Sequence, residues 1–150
     1  MPIDCTVRMT LTASPATSLS ALADAANWSD WARDLDRVEL LPDADPAGPT
    51  LVRVVVSILG EEHDAVVEVL VDPDAGTVCV ALGRSEALAS LTATFGFVSE
   101  GRGTGMHGQL HIAPTQALSA RVERMVSRKI ETALTRDFVR YVERAQRGRG

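Results

Sequence analysis

The sequence has 150 residues, of which 45% are hydrophobic and 23% are charged, and its net charge is −5. This composition suits a globular domain that buries a core, and it excludes an intrinsically disordered chain. No apolar run approaches the roughly 20 residues that cross a bilayer, and no basic and apolar leader opens the chain, so we expect a cytoplasmic protein without stable membrane insertion.

The N-terminal part of the chain predicts one strand followed by short helices. Apolar and polar residues alternate over 3–12, which marks a strand with one buried and one solvated face. Pro15 ends this strand, and the hydroxyl residues around it suit a helix N-terminus. Apolar residues at helical spacing then predict a short helix over about 18–26, with a further turn near 28–33.

The middle of the chain predicts six more strands. Loops rich in Pro, Gly and Asp, such as 42–49, 72–76 and 101–105, separate the apolar segments. The gaps leave no room for crossover helices, so the sheet must be antiparallel. The predicted strands cover 35–41, 51–59, 65–71, 77–82, 88–98 and 106–112.

After Pro114 the apolar spacing becomes helical. No Gly or Pro interrupts 115–147, which predicts one helix of about 30 residues, roughly 45 Å long. Residues 148–150 are expected to be a frayed tail. The apolar stripe of this helix comprises Val122, Val126, Ile130, Ala133, Leu134, Val142 and Ala145.

These elements predict a single α+β domain over 1–147. One long helix cannot cover a flat sheet of this size, so the antiparallel sheet must curl around the C-terminal helix. We expect an apolar pocket between the sheet and that helix.

Charge is unevenly distributed along the chain. Residues 121–149 carry nine Arg or Lys against four Asp or Glu, a balance of +5, whereas the remainder has a balance of −10. This predicts a basic helix against an acidic body. The acidic remainder would repel phosphates, so we expect no nucleic-acid partner.

A local pattern adds a family resemblance. Residues 24–31 read DAANWSDW, and VELL follows at 38–41. Together with the order of elements, this pattern resembles bacterial members of the START-like (SRPBCC) superfamily, which has the helix-grip fold and includes polyketide cyclase/dehydrase-like and lipid-transport-like proteins. The positions that match are Asp24, Asn27, Trp28, Ser29 and Trp31.

The resemblance implies a cavity that takes lipids, polyketides, sterols or other apolar molecules. Some members of the superfamily catalyse cyclisation or dehydration, and many only bind or carry a ligand. An aliphatic lining with few polar groups suits an apolar guest, although the same residues would also serve simply to fill a core. The predicted pocket lining comprises Trp28, Trp31, Val54, Val56, Val67, Val69, Val80, Leu82, Leu91, Phe95, Phe97, Val126, Ile130, Leu134 and Tyr141.

Motifs that would indicate other sites are rejected. The GxGxxG spelling at 103–108 precedes a strand, whereas a dinucleotide site requires a helix. His107 and His111 are about 13 Å apart along a strand, too far to share a metal ion, and should face solvent. Cys5 and Cys79 are too few for a structural zinc site. We therefore expect no metal and no cofactor.

Three functional hypotheses remain. The first is a binding or carrier domain for a small hydrophobic molecule, because no catalytic constellation is recognisable. The second is a polyketide cyclase, aromatase or dehydratase that uses the same cavity, with Arg53, His63, Glu68 and Arg84 as the polar residues expected nearest the pocket mouth or interior. Arg53 and Glu68 lie on neighbouring predicted strands, and a cross-strand pair on the outer face is the preferred interpretation of these two. The third is a protein-interaction module with a collapsed pocket. The chain is expected to be a monomer or a homodimer.

Overall fold

Seven strands form one antiparallel sheet in the computed structural model, which describes residues 3–42, 48–58 and 60–148. They are β1 (Ile3–Leu11), β2 (Leu35–Leu40), β3 (Thr50–Ile58), β4 (Glu61–Asp72), β5 (Thr77–Arg84), β6 (Leu88–Glu100) and β7 (Gly103–Pro114). Their order in the sheet is β1-β7-β6-β5-β4-β3-β2. Strands β2 to β7 therefore follow one another as hairpins, and β1 pairs with β7.

The sheet has one apolar and one polar face, as the alternating sequence predicts. Along β1, Ile3, Cys5 and Val7 are buried and the residues between them are exposed. Along β6, Phe95 and Phe97 are buried in the same way. We call the apolar side the concave face, since the C-terminal helix packs against it, and the polar side the convex face.

The connection between β6 and β7 is shorter than predicted. Glu100 pairs with Gly103, so only Gly101 and Arg102 form the turn, with Gly101 at a φ of 60°. The prediction that 101–105 form a loop was wrong, because Gly103 and Gly105 belong to β7. Glycine at 103 reflects a close backbone approach: a Cβ there would lie 2.1 Å from the carbonyl oxygen of Leu11.

The first helix begins earlier than predicted. Helix α1 spans Pro15–Ala23, and a 3-10 helix follows at Ala25–Asp30. The side chain of Ser14 caps α1 by accepting a hydrogen bond of 3.2 Å from the backbone N–H of Thr17. Pro15 occupies the first turn, where its missing N–H costs nothing. The proline that ends the strand thus also starts the helix.

The C-terminal helix is continuous but not uniform. It comprises α2 (Ala120–Thr132), a π-helical segment (Ala133–Asp137) and α3 (Phe138–Gly148). The predicted start at 115 was wrong, because Ser119 caps α2 and accepts from the N–H of Val122 at 3.2 Å. Of the predicted frayed tail, Gly148 belongs to α3, and residues 149 and 150 lie outside the described residues. No helix in the described part of the chain is long and apolar enough to cross a membrane.

The π-helical segment follows from a strict four-residue apolar repeat. Each four-residue step exceeds the 3.6-residue turn of an α-helix by about 40°, so five steps would turn the last residue roughly 200° away from the first. The N–H of Phe138 donates to the carbonyl of Ala133, five residues back, and this wider turn accommodates one extra residue, which removes about half of the excess. The repeat comprises Val122, Val126, Ile130, Leu134, Phe138 and Val142.

Both edges of the sheet are attached to the C-terminal helix. At one edge, Cys5 Sγ of β1 and Ser127 Oγ of α2 are 3.2 Å apart. At the other edge, Lys129 Nζ of α2 lies 3.2 Å from the carboxylate of Asp34, immediately before β2. Because β1 and β2 are opposite edges, the sheet curls around the helix. The predicted helix-grip architecture is therefore confirmed.

We expect Phe138→Ala to lower the free energy of unfolding by about 3–5 kcal/mol, because Phe138 is fully buried and packs edge-on against Trp31 at 5.0 Å between ring centroids. Urea denaturation followed by circular dichroism measures this loss. The control is deletion of exposed Thr135 from the π-helical segment, which leaves Phe138 and Val142 on the buried face of a plain α-helix. If the deletion costs as much as Phe138→Ala, our explanation of the π-helical segment is wrong.

Candidate functional site: an apolar cleft beneath the C-terminal helix

The antiparallel topology sorts the connections to two ends of the sheet. The β3–β4, β5–β6 and β7–α2 connections lie at one end, which we call the α2 end because α2 begins there. The β4–β5 and β6–β7 turns lie at the opposite end together with the β1–α1 connection, and we call it the α1 end. The two ends differ in how completely their apolar side chains are buried.

The α1 end of the grip is packed solid. The side chains there come from four strands and from α3, and each is at most 1% exposed. Such burial indicates close packing around these side chains, and it contributes to the apolar area that holds the domain together. These residues are Leu11, Val52, Val78, Met106, Phe138 and Val142.

The α2 end is open by comparison. None of the 13 residues of α2 is buried, although Ile130 packs against the core and Val122 and Val126 precede it on the same stripe. The facing side chains of the sheet are half-buried, even on the central strands β5 and β6, where an edge effect does not apply. These facing side chains are Val54, Val56, Val80, Leu82, Leu91, Leu110 and Ile112.

We call this half-buried apolar surface of α2 and of the facing strands the cleft. At the other end, where α1 contacts β5, β6 and β7, the central strands bury Val78 and Phe97. The half-burial of both walls means that each retains contact with solvent. The cleft therefore has apolar surface that remains partly exposed to solvent.

Hydrogen bonds fix the frame around the mouth of the cleft. The backbone N–H of Thr115 donates to Ala87 O at 3.0 Å, and its hydroxyl donates to Glu86 O at 2.8 Å, which joins the β7–α2 connection to the β5–β6 connection. The hydroxyl of Ser85 donates to Asp64 O of β4 at 2.9 Å. The frame is therefore tied together across three strands, while α2 spans it from edge to edge.

The predicted pocket residues divide into three groups in the structure. One group is buried in the core: Trp28, Trp31, Val67, Val69, Phe95, Phe97 and Leu134. A second group is half-buried and packs against that core: Val54, Val80, Leu91, Ile130 and Tyr141. A third group is half-buried at the α2 end, beyond the packed core: Val56, Leu82 and Val126.

Phe138, Leu110 and Ile112 are among the interior residues that were missing from the predicted lining. Phe138 is fully buried, and its signal in the sequence was the four-residue repeat that places it between Leu134 and Val142. Leu110 and Ile112 lie on the concave face opposite Ala93 and Leu91. The alternation along β7 was sufficient to find them.

The two tryptophans serve the packing of the short helices. Trp28 Nε1 donates to Leu22 O at 2.7 Å, which ties the 3-10 helix to α1. Trp31 packs against Phe138, and its Nε1 is buried without a hydrogen-bond partner among the described residues. Both rings thus connect the short helices to the core.

Polar side chains are sparse on the concave face. Of the four polar candidates, His63 alone lies there, opposite Val56 at the mouth of the cleft, with its Nε2 3.8 Å from the carboxylate of Glu61. Arg53 lies on the convex face and pairs with Asp64 at 2.9 Å, whereas the sequence had suggested Glu68 as its partner. The cleft walls therefore offer mainly van der Waals contact.

The histidines of β7 lie away from the cleft. His107 and His111 are on the convex face, opposite Arg8 and Asp4 of β1. The Nδ1 atom of His111 is 2.6 Å from the carboxylate of Asp4, and His107 is exposed. Both therefore lie on the solvated face that the alternating pattern predicts.

A separate groove lies at the α1 end, which the sequence did not predict. Its volume is about 570 Å³, and no residue of the C-terminal helix contributes to it. It lies between α1 and the β4–β5 turn. Its walls comprise Pro15, Ala16, Leu19, Ser20, Ala23, Asp24, Val71, Pro73, Gly76 and Phe97.

Tyr141 is half-buried on α3, in an environment that favours one protonation state of its hydroxyl. Burial raises the pKa of its hydroxyl above the ordinary value of 10.0, and the carboxylates of Asp24 and Asp30 raise it further. The neutral phenol is thus favoured in the folded protein. Its contribution to stability is complete below pH 10 and is lost as the pH rises through the folded-state pKa.

Because Tyr141 is the only tyrosine in the sequence, tyrosinate absorbance reports its ionisation directly. We expect a spectrophotometric titration of the folded protein to give a midpoint above 10, and a titration in urea to return it to about 10. Asp30→Asn should lower the midpoint in the folded protein. Equal midpoints in the folded and unfolded states would contradict this account.

Solved structures of low sequence identity share this fold. The protein TTHA0849 from Thermus thermophilus has a TM-score of 0.82 at 16% identity, covering 95% of this chain and 98% of its own. The Zhui aromatase/cyclase from Streptomyces sp. R1128 has a TM-score of 0.81 at 16% identity, covering 100% and 99%. A START superfamily protein from Mycobacterium smegmatis has a TM-score of 0.70 at 17% identity, covering 97% and 95%. At these identities the likeness establishes the fold alone.

Sequence comparison supplies the family. No curated protein matches the chain significantly. The model of the family described as polyketide cyclase / dehydrase and lipid transport matches residues 2–144, which is nearly the whole chain. With its helix-grip fold, the chain belongs to the polyketide cyclase/dehydrase and lipid-transport family of the START-like superfamily.

Proposed function

We propose that this domain binds and carries a small hydrophobic molecule, lipid-like or polyketide-like, in the cleft beneath α2. The observation that carries the proposal is the contrast in burial between the two ends of one concave face. At the α1 end six apolar side chains of the core are at most 1% exposed, and at the α2 end comparable side chains are half-buried.

The physical reason is the apolar surface that the cleft leaves in contact with water. Removing such surface from water is worth about 25 cal/mol per Å². A guest that filled the space between α2 and the sheet would cover both walls at once. It would also supply the dispersion contacts that an unfilled space lacks.

The polarity of the walls favours an uncharged guest. The half-buried side chains of the cleft are aliphatic, and His63 stands at the mouth rather than in the interior. A charged group carried inside would lose its hydration without gaining a partner. The guest is therefore expected to be apolar over most of its length, with any polar group directed toward the mouth.

A second candidate function is a cyclase or dehydratase that acts on a polyketide-like substrate. His63 favours it, because an imidazole beside the carboxylate of Glu61 can exchange protons with a group held at the mouth. General acid–base catalysis by one such residue contributes about 10²–10⁴-fold to a rate. The carrier is preferred because the apolar walls of the cleft offer a bound substrate few other polar groups.

The interaction module is the third candidate. It requires a filled space beneath α2, and the half-buried walls argue against that. Monomer and homodimer are both compatible with the cleft, since the described residues form it within one chain.

Filling the cleft should abolish binding. We expect the native protein to bind the uncharged fluorophore N-phenylnaphthylamine, with enhanced emission. Val126→Trp places an indole in the space beneath α2 and should weaken this binding about tenfold or more, equivalent to about 1.4 kcal/mol. Fluorescence titration measures both affinities.

The matched control is Glu131→Trp, which introduces the same side chain at an exposed position of α2. Its affinity should stay within about twofold of the native value, since the substitution does not reach the cleft. Equal weakening by both substitutions, or no binding by the native protein together with no ligand in native mass spectrometry, would refute the carrier.

A further substitution separates the carrier from the enzyme. His63→Gln keeps the approximate size of the side chain and removes its ability to take up a proton. The carrier predicts unchanged affinity for the fluorophore. The enzyme predicts that turnover of an aromatic polyketide precursor, followed by chromatography, falls about 10²-fold or more in this variant while binding persists.

A further inference from the structure

The outward side of the C-terminal helix is a row of arginines. Six arginines are exposed, and they span about 35 Å from the first to the last at 1.5 Å per residue. We call this surface the arginine face. It comprises Arg121, Arg124, Arg128, Arg136, Arg140 and Arg144.

These arginines share one side of the molecule despite the π-helical segment between them. In α2, Arg124 and Arg128 lie on the helix face opposite Val126 and Ile130, which face the sheet. In α3, Arg140 lies opposite the fully buried Phe138 and Val142, and Arg136 and Arg144 flank it at four-residue spacing. Since both groups point away from the sheet, they point in the same direction.

Most of this charge has no partner. Within the part of the chain that the structure describes, Arg136 is paired with Asp137 at 3.1 Å, and the other five arginines make no ion pair. Glu131, three residues after Arg128, is an exposed carboxylate of α2. The arginine face is therefore a surface of net positive charge on a chain whose total is −5.

We propose that the arginine face docks the domain on the surface of a bilayer that contains anionic phospholipids. A flat surface can meet all six side chains at once, whereas a curved or narrow partner can meet only some of them. Each arginine near an anionic bilayer strengthens adsorption roughly fivefold. The exposed large hydrophobic residues of the described chain, which are Leu40, Leu70, Val71 and Val98, all lie outside the helix, so adsorption is electrostatic and does not require insertion.

A nucleic acid is a less suitable partner for the arginine face than a bilayer. The helix is held between the two edges of the sheet, so it cannot enter a groove as a free helix does. The carboxylates of Asp34 and Asp36 lie at the β2 edge, where they would meet the phosphates. On a flat bilayer, the convex face of the sheet lies on the far side of the molecule from the lipid, and salt screens its carboxylates with a Debye length of about 8 Å.

The choice of a membrane rests on the proposed function. Apolar cargo partitions into bilayers, and α2 forms at once one wall of the cleft and half of the arginine face. Docking through this helix would bring the mouth of the cleft close to the place where such cargo is dissolved. The same helix would then face the membrane on one side and the guest on the other.

Co-sedimentation with vesicles tests the docking. We expect the native protein to bind phosphatidylcholine vesicles containing about 30% phosphatidylglycerol and not to bind pure phosphatidylcholine, and we expect about 0.5 M salt to release it. Arg124→Gln/Arg128→Gln should lower the partition coefficient roughly thirtyfold through the loss of two charges. Arg124→Glu/Arg128→Glu should lower it further.

The matched control is Arg8→Glu/Arg102→Glu, which changes the net charge as much as the double glutamate variant does. Both residues are exposed, Arg8 on the convex face and Arg102 in the β6–β7 turn. Its partition coefficient should stay within about threefold of the native value. Equal losses in the control and in the Arg124/Arg128 variants, or no binding of native protein to anionic vesicles, would overturn the proposal and leave an acidic protein as the alternative partner.

Fluorophore binding separates this result from the proposed function. Arg124→Glu/Arg128→Glu should bind N-phenylnaphthylamine as the native protein does, because both positions point away from the cleft. Vesicle binding by a protein that takes no fluorophore would refute the carrier and preserve the docking. Fluorophore binding by a protein that does not bind vesicles would refute the docking and preserve the carrier.

Discussion

The structure depends on one constraint: the C-terminal helix, with α1 and the 3-10 helix at one end, must cover the apolar face of a seven-stranded sheet. The α3 half meets this constraint by close packing, with Phe138 and Val142 fully buried. The α2 half meets it only at the sheet edges, through Ser127 and Lys129, and leaves the central strands partly uncovered. The cleft results directly from this difference in packing between α3 and α2.

The spacing of the apolar residues explains the division of the C-terminal helix into α2 and α3. A four-residue repeat does not fit an α-helix, and the π-helical segment between α2 and α3 absorbs part of the misfit. The segment keeps Phe138 in register with the core while the arginines remain on the outside of both halves. Packing, cleft and arginine face therefore share a single cause in the sequence.

Sequence patterns predicted the sheet and its curvature because alternation and short turns leave few alternatives. They misplaced the glycines of 103–105, since close backbone approach between β1 and β7 is invisible before the strands are paired. Of the predicted lining, Val126 and Leu82 fall at the cleft, whereas Phe95 and Leu134 fall in the packed core. Residue type and periodicity predict which face of each element points inward. They do not predict the distance between the inward faces of the sheet and of the C-terminal helix.

Because α3 is closely packed against the core and α2 is not, substitutions in the two halves of the C-terminal helix should differ in their effect on stability. Substitutions in α2 contact few fully buried residues, so they alter the surface of the cleft with little loss in the free energy of unfolding. Substitutions in α3 carry the full cost of a close-packed interior. One stretch of 13 residues can thus change by drift while another stretch preserves the fold.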